Sequence, residues 1–385
     1  MTREFIDFVL THENEDTARL LLSASRYPSI DMAAAVQHIE GLRTAREKWP
    51  GLLGCRDFVY PPRLNREQAS SEATAEYKRQ WAVGHVADLT GGMGIDSLAF
   101  ATVAEHVDYV EHDNLLCSLM EHNKSALGLA NVDVHHANSI DWLSALPEGR
   151  FNLLFVDPAR RNSRGRKVSA FEDCEPNILA HAALLRSHCS RMLIKASPMI
   201  DIDLACRQLG DVTEVHIVAV KGECKEVLFV CGEPSGEPRI VCINLSSPET
   251  FSFTRSEEAS AEARYCQSVD RYLYEPDATL MKGGPFKLIS QRLGLEMLGH
   301  NTHLYTANRR INNFPGRTFE VLRELKLNHK EASAVIHDRK AHVVTRNFPI
   351  EAAALQRQLG LREGGDLFVI ATCIGSRKSG FLCKI

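Results

Sequence analysis

Asp88-Leu89-Thr90-Gly91-Gly92-Met93-Gly94 follows a short apolar run, His85-Val86-Ala87, and opens an amphipathic stretch from Ile95 to Val103. A strand, a glycine turn and a helix in that order form the first half of a βαβ unit. Gly91, Gly92 and Gly94 let the backbone turn sharply and approach a ligand closely. A dinucleotide fingerprint of the GxGxxG kind needs glycine at 91, 93 and 96, where this chain has Gly91, Met93 and Asp96. The spacing therefore excludes a nicotinamide-binding reading. What remains is an acid, a glycine loop and a helix start, which suits a ligand with a cationic or amino-acid end; a tight turn without a ligand is the plain alternative.

The rhythm continues downstream. Apolar runs at Val107–Val110, Val132–Val134, Phe151–Val156 and Met192–Ile194 alternate with helical stretches at 115–129, 140–146 and 177–187. This is the pattern of a doubly wound, Rossmann-like α/β sheet. A further helix is expected from Asp201 to Leu209. Then two strands, Glu214–Val220 and Glu226–Cys231, flank a turn at Lys221-Gly222-Glu223 too short for a helix, so they form an antiparallel hairpin.

Candidate site residues fall at the carboxyl ends of these strands, where open α/β sheets bind ligands. Glu111 lies 23 residues after Asp88, and its two oxygens suit the hydroxyls of a ribose. Asp113 suits the cap of the helix that follows. Asn138 has two readings, recognition of an adenine edge or a helix cap. The fourth strand runs into Asp157-Pro158-Ala159-Arg160-Arg161. Pro158 stiffens the turn, and Asp157 is placed to orient a nucleophile and accept its proton; a helix cap or an ion pair with Arg160 is the alternative. Arg160, Arg161, Arg164, Arg166 and Lys167 put five cations in eight residues. Beside a site, such a loop suits phosphate contacts; elsewhere it is a solvated face. Lys195, ending the fifth strand, either lines the pocket or pairs with Asp201 or Asp203.

Together DLTGGMG at 88–94, YVEHD at 109–113, DPARR at 157–161 and the terminal hairpin resemble class I S-adenosylmethionine-dependent methyltransferases. More closely, the chain resembles a bacterial group that joins such a domain to a C-terminal THUMP-like module, through Tyr274-Glu275-Pro276-Asp277, Gly283-Gly284-Pro285-Phe286-Lys287 and Asn312-Asn313-Phe314-Pro315-Gly316-Arg317. The resemblance implies an N-terminal helical region at 1–80, a methyltransferase domain with a seven-stranded sheet at 81–233, an α+β ferredoxin-like linker domain at 234–311 and a THUMP-like domain at 312–385.

S-adenosylmethionine is the cofactor it implies. Asp88, Thr90, Gly91, Gly92 and Gly94 would hold the methionine end, Glu111 with His112 the ribose, Asn138 with Ser139 the adenine, and Asp157 with Pro158 the reacting end. Four positions depart from the pattern. Thr90 stands where glycine is usual and Asn138 where aspartate is more frequent. Ala159 and Arg160 replace the second proline and the aromatic of many base N-methyltransferases, so stacking on a flipped base must come from elsewhere. Cys224 does not match the cysteine of carbon-5 RNA methyltransferases in its context and receives no role. THUMP modules resemble RNA-binding domains, which implies structured RNA, tRNA or rRNA, as the partner. Arg309, Arg310, Arg317, Arg377 and Lys378 are the basic residues to test there.

The rest of the composition limits other classes. The chain has 385 residues, 44% hydrophobic and 24% charged, with a net charge of −4; this excludes general disorder and gives no overall basic character. No apolar run approaches the roughly 20 residues of a spanning helix, and residues 1–10 do not read as a secretory signal. Eleven cysteines without a CxxC pair suggest reduced thiols in a cytoplasm rather than disulfides or zinc. Sixteen histidines show no HExxH spacing, so no metal is expected. An RNA nucleobase methyltransferase is the leading expectation. The alternatives are a small-molecule or protein methyltransferase, or an inactive protein that binds the cofactor or RNA.

Overall fold

A computed structural model of the chain describes residues 2–160, 171–233 and 236–385. The chain divides into two compact units, Met1–Glu214 with Val227–Gly236, and Val215–Glu226 with Glu237–Ile385. Among the described residues no helix is long and apolar enough to cross a membrane.

The first unit begins with helices α1 (Arg3–His12), α2 (Thr17–Leu22) and α3 (Met32–Lys48). Asp16 caps α2 and Asp31 caps α3, each accepting from backbone N–H groups of the first turn. Phe8, Val9, Leu20, Met32, Ala35, Val36 and Ile39 close a small core between them. Two short helices follow, α4 (Arg63–Gln68) and α5 (Glu72–Lys78). The sequence suggests a solvated helix from Glu67 to Arg79, but Thr74, Ala75 and Lys78 are buried. The reason is a polar network. The Lys78 ammonium lies 3.1 Å from the Asp96 carboxylate and donates to the Ser70 hydroxyl, which itself donates to Asp96 at 2.7 Å.

The sheet starts with β1 (His85–Asp88), β2 (His106–Glu111), β3 (Val132–His136) and β4 (Leu153–Val156). Between them run α6 (Ile95–Ala101), α7 (Asn114–Ala126) and α8 (Ser139–Ser144). A two-residue ribbon pairs β5 (Ala159–Arg160) with β6 (Cys174–Glu175). Next come α9 (Ala182–His188), β7 (Met192–Ala196), α10 (Ile202–Leu209), β8 (Val212–Val220) and β9 (Glu223–Cys231). β1 is parallel to β2 and β4, β2 to β3, and β4 to β7. β9 runs antiparallel to β7. All four β4 residues are buried, as the continuous apolar run requires of a central parallel strand. Lys221 and Gly222 both have positive φ, 51° and 79°, the two-residue turn that matches strand twist; Glu223 already belongs to β9.

Seven strands are expected, and the sheet has nine, in the order β11-β10-β8-β9-β7-β4-β1-β2-β3. The additional pair, β10 (Arg239–Asn244) and β11 (Thr250–Phe253), is an antiparallel hairpin following the first.

The second unit also holds an eight-stranded sheet, order β12-β14-β15-β13-β16-β19-β18-β17. Its strands are β12 (Arg264–Tyr265), β13 (Tyr272–Pro276), β14 (Glu296–Met297), β15 (Tyr305–Ala307), β16 (Gly316–Glu324), β17 (His342–Arg346), β18 (Leu367–Ile374) and β19 (Arg377–Lys384). The local pattern misleads twice here. Phe319 to Leu322 suits a helix in sequence but lies in β16, because β13 and β19 pair with it on either side. Ala334 to His337 suits a strand, yet residues 329–335 are helical. Asn328 caps that helix, and Ala332 is buried with Ile336 among Leu355, Leu359 and Val369.

The Lys78–Asp96 pair is testable by unfolding. Lys78→Met leaves a buried carboxylate without its cation and is expected to cost about 3–5 kcal/mol in urea denaturation. Lys78→Met with Asp96→Leu is expected to recover most of that loss; equal stability of the wild type and the single variant would contradict the pairing.

Candidate active site

β1 delivers Asp88 to the glycine turn with its carboxylate 1% exposed. One oxygen accepts from the Thr90 N–H at 3.1 Å and the other from the Ser97 hydroxyl at 2.6 Å. Gly91 is pressed against the Tyr109 ring, and a Cβ there would lie 2.3 Å from it. Gly94 has φ 86°, and a Cβ would meet the Met120 sulfur at 2.7 Å. Gly92 differs. Its φ is 54°, but a Cβ would meet nothing nearer than the Thr90 carbonyl at 3.7 Å. The loop is thus packed underneath and open above Gly92, as a close-approaching ligand requires.

Glu111 ends β2 and is 7% exposed. Its Oε2 accepts from the Gly92 N–H at 2.8 Å, and its Oε1 from the N–H groups of His112 and Asp113 at 2.8 and 2.9 Å. The His112 ring also places Nδ1 2.8 Å from Oε1 while staying mostly exposed. The Tyr109 hydroxyl donates to the Gly92 carbonyl at 2.6 Å. Sequence reasoning gave Tyr109 no role; the only signal was its place two residues before Glu111. Asp113 caps α7, accepting from Leu115 and Leu116 N–H.

Asn138 is exposed, and its Oδ1 caps α8 by accepting from Ile140 and Asp141 N–H. The cap commits the amide oxygen, so any adenine contact falls to Nδ2. Ser139 opens the helix. Ala137 N–H donates to the Glu111 carbonyl at 3.0 Å, joining this turn to the end of β2.

Thr90, the departure from the usual glycine, has a task. Its hydroxyl oxygen accepts from the Asp157 N–H at 2.7 Å, tying the glycine loop to the turn after β4. The Asp157 carboxylate is one-third exposed and forms an ion pair with the Lys195 ammonium, itself 13% exposed. Lys195 thus lines the candidate site through its ion pair with Asp157, while Asp201 caps α10 by accepting from Leu204 N–H. The available signal was a lysine at the carboxyl end of the strand next to β4. Of the basic run, Arg161, Arg164, Arg166 and Lys167 lie outside the described residues, and only the backbone of Arg160 is described, in β5. Pro158 leads from Asp157 into that ribbon.

The two buried aspartates differ electrically. Burial pushes the Asp88 carboxyl up to about 7, and the nearby Asp96 and Asp157 charges act in the same direction against the Ser97 and Thr90 hydrogen bonds. Asp96 is also buried, which works to raise it, but Lys78, Lys195 and Ser70 hold it below the usual carboxylate value. Cys224 is pushed up to about 11 by burial, so it is a poor thiolate. All eleven cysteines are free thiols.

A Rossmann-like sheet with a hydrogen-bonded glycine loop and acids at the carboxyl ends of its strands has the layout of a nucleoside-binding site. Comparison with known proteins gives the family. A crystal structure of a putative methyltransferase from Porphyromonas gingivalis W83 is 32% identical, with a TM-score of 0.86 over 99% of this chain and 97% of that one. An uncharacterized S-adenosylmethionine-dependent methyltransferase of Mycobacterium tuberculosis is 25% identical across 83% of this chain and 87% of its own length. A ribosomal RNA small subunit methyltransferase J from Chromobacterium violaceum is 31% identical over 24% of this chain and 39% of its own. A model described as a ferredoxin-like domain matches residues 272–315, and one described as THUMP domain-like matches 316–384. The chain belongs to this family of S-adenosylmethionine-dependent methyltransferases with a C-terminal THUMP-like domain.

The raised Asp88 carboxyl sets a pH dependence. Its value in the folded state exceeds its unfolded value of 3.8, so the stability it contributes is full below about pH 4 and is lost as pH rises to about 7. Asp88→Asn is expected to flatten this part of the stability curve, measured by urea midpoints between pH 4 and 8. An unchanged slope would refute the raised Asp88 carboxyl.

Proposed function

We propose that the protein methylates a nucleobase of structured RNA, tRNA or rRNA, at the site built around Asp157. The observation that carries this reading is the junction of Thr90, Asp157 and Lys195, which fixes an acceptor carboxylate against the glycine loop. Asp88, Thr90, Gly91, Gly92 and Gly94 form the methionine-end cradle in this reading, with Asp88 acting through the loop it hydrogen-bonds. Glu111 and His112 take the ribose, and Asn138 and Ser139 take the adenine. The glycine loop fits such a ligand because, among the described residues, no side chain lies within 4 Å of where a Gly92 Cβ would stand.

The cofactor supplies an electrophilic methyl group, so the protein's task is to orient a nucleophile and take its proton. Lys195 holds one oxygen of Asp157. The other oxygen is the acceptor for an N–H at the base edge. Pro158 removes a competing amide donor from the same turn. Water exclusion and base stacking fall to residues other than 159 and 160, because neither alanine nor arginine at these positions supplies the usual aromatic.

Support for RNA is of three kinds. The relative from C. violaceum is named for ribosomal RNA, although it matches only a quarter of this chain. The THUMP domain-like match spans the last strands. Arg309 and Arg310 are exposed, as phosphate contacts need. In this reading the division at 81–233, 234–311 and 312–385 separates transfer from RNA capture, after the helical region at 1–80.

RNA from cells lacking the protein is the substrate to test. Wild-type protein is expected to transfer one methyl group per site to it, and nucleoside mass spectrometry of cells with and without the protein is expected to show one modification missing. Asp157→Asn is expected to lower kcat by about 10²–10⁴ with cofactor affinity within a few-fold of wild type. Transfer to a protein or small-molecule fraction, with none to this RNA, would overturn the substrate class.

A further inference from the structure

Asp108 and Asp133 are paired in the parallel register of β2 and β3. Side chains alternate between faces along a strand, so His106 and Asp108 of β2 share a face with Asp133 and His135 of β3. Their chemistry converges. The His106 Nε2 lies 3.3 Å from an Asp133 oxygen and 3.8 Å from Asp108 Oδ1. His135 Nε2 is hydrogen-bonded to the same Asp108 oxygen at 2.6 Å. Donor atoms of His106, Asp108 and Asp133 all lie within 4.8 Å of one another.

Asp108 is the unusual member. It is 2% exposed, and its Oδ2 has no hydrogen-bond partner. The nearest cation to that oxygen is Arg150, at 3.9 Å, beyond hydrogen-bond reach. Buried carboxylates are paired, hydrogen-bonded or bound to metal. Here one oxygen faces two imidazoles, and the other has the Arg150 ion pair but no hydrogen bond among the described residues.

We propose that His106, Asp108 and Asp133 bind one divalent transition-metal cation of the zinc type, with His135 as the hydrogen-bonding support of Asp108. Zinc ligand atoms at about 2.0–2.2 Å from the metal in a tetrahedron stand roughly 3.3–3.5 Å apart. The separations of 3.3 and 3.8 Å around His106 need only small side-chain adjustments to reach that geometry. His135 stands closer to Asp108 than two ligands of one ion do, which assigns it the outer role. Imidazole and carboxylate donors without sulfur suit zinc, cobalt or nickel.

The site is separate from methyl transfer. His106 begins β2 and Glu111 ends it, five residues or roughly 16 Å away along the strand. β3 is the last strand of its sheet, and edge strands are held from one side only. An ion bridging 106, 108 and 133 pins that edge strand to β2, so its effect is on stability.

The test uses the full chain, freed of metal by chelator and titrated with Zn²⁺ in a calorimeter and Co²⁺ in a spectrophotometer. One equivalent is expected to bind, with a rise in melting temperature and a Co²⁺ spectrum free of thiolate charge-transfer bands. Asp133→Asn and His106→Gln change exposed or half-exposed side chains and are expected to fold. Each is expected to weaken binding more than tenfold and abolish the thermal shift, and His135→Gln to weaken it about 10–100-fold. No uptake by the wild type, uptake unchanged in the Asp133 and His106 variants, or a thiolate band in the Co²⁺ spectrum would each overturn the proposal. The last outcome would assign the metal to the cysteines.

Discussion

The close approach of the Gly91 backbone to the Tyr109 ring is the contact on which the rest of the site depends. At 2.3 Å from a hypothetical Cβ to the ring, no other residue type fits without moving β2. The approach draws the 91–94 turn down onto β2, where the Gly91 N–H donates to the Val110 carbonyl at 3.0 Å and two side-chain hydrogen bonds hold Gly92. Tyr109 donates to the Gly92 carbonyl, and the Gly92 N–H donates to Glu111. Both partners come from one strand, two residues apart on the same face. The strand that provides the candidate ribose acid therefore also sets the height and tilt of the glycine loop. Thr90 carries the constraint across to β4 through the Asp157 N–H. Three strand ends are thus fixed relative to one another by hydrogen bonds through the glycine loop.

Charge in this region is divided by lysines arriving from different parts of the chain. Asp96 has Lys78, Asp157 has Lys195, and Asp88 has hydroxyl and amide donors. The result follows from elementary electrostatics: a buried acid without a cation shifts toward its neutral form, and one with a cation stays charged. Lys78 matters most for organisation. It comes from α5, so the helices before the sheet contribute a buried cation to the first turn of α6, the helix that begins at the glycine loop. Trp49 supports the arrangement by donating its indole N–H to the Ser70 carbonyl at 2.7 Å. The N-terminal helices are therefore part of what holds the cofactor-side helix.

Much of the first unit was legible because its signals are local. A glycine turn between an apolar run and an amphipathic run has few structural solutions, and β4 is a continuous apolar strand. The hairpin was legible because the connection at Lys221-Gly222-Glu223 is too short to contain a helix. Lys195 and Lys78 were less legible because their roles come from contacts 38 and 18 positions away in sequence, where no local periodicity reports them. Glu67 to Arg79 reads as polar and exposed by composition, yet a lysine with a buried carboxylate partner is free to be buried. In β16 the local pattern favours a helix, and pairing on both sides overrides it. Arg239 to Leu245 and Phe251 to Thr254 read as short strands from their apolar residues, but nothing in their sequence says which sheet they extend.

The second unit shows why counting arginines is a poor guide to nucleic-acid contacts. Arg317 follows the sequence signature of the module and was singled out as an RNA contact, but its guanidinium pairs with Glu275, which Arg346 also approaches at 2.5 Å. Glu275 is 5% exposed. A buried carboxylate needs compensation, and two guanidinium groups supply it from β16 and β17. Removing either would first disturb the link between β13 and these strands, so any change in binding by such a variant would reflect lost structure. Arg309 and Arg310 differ: they are exposed, and the Arg309 carbonyl is fixed by the Tyr274 hydroxyl at 2.9 Å. A backbone held in place with side chains directed to solvent is the arrangement that a phosphate contact requires, because the ordering cost of the backbone is met by folding before any ligand arrives.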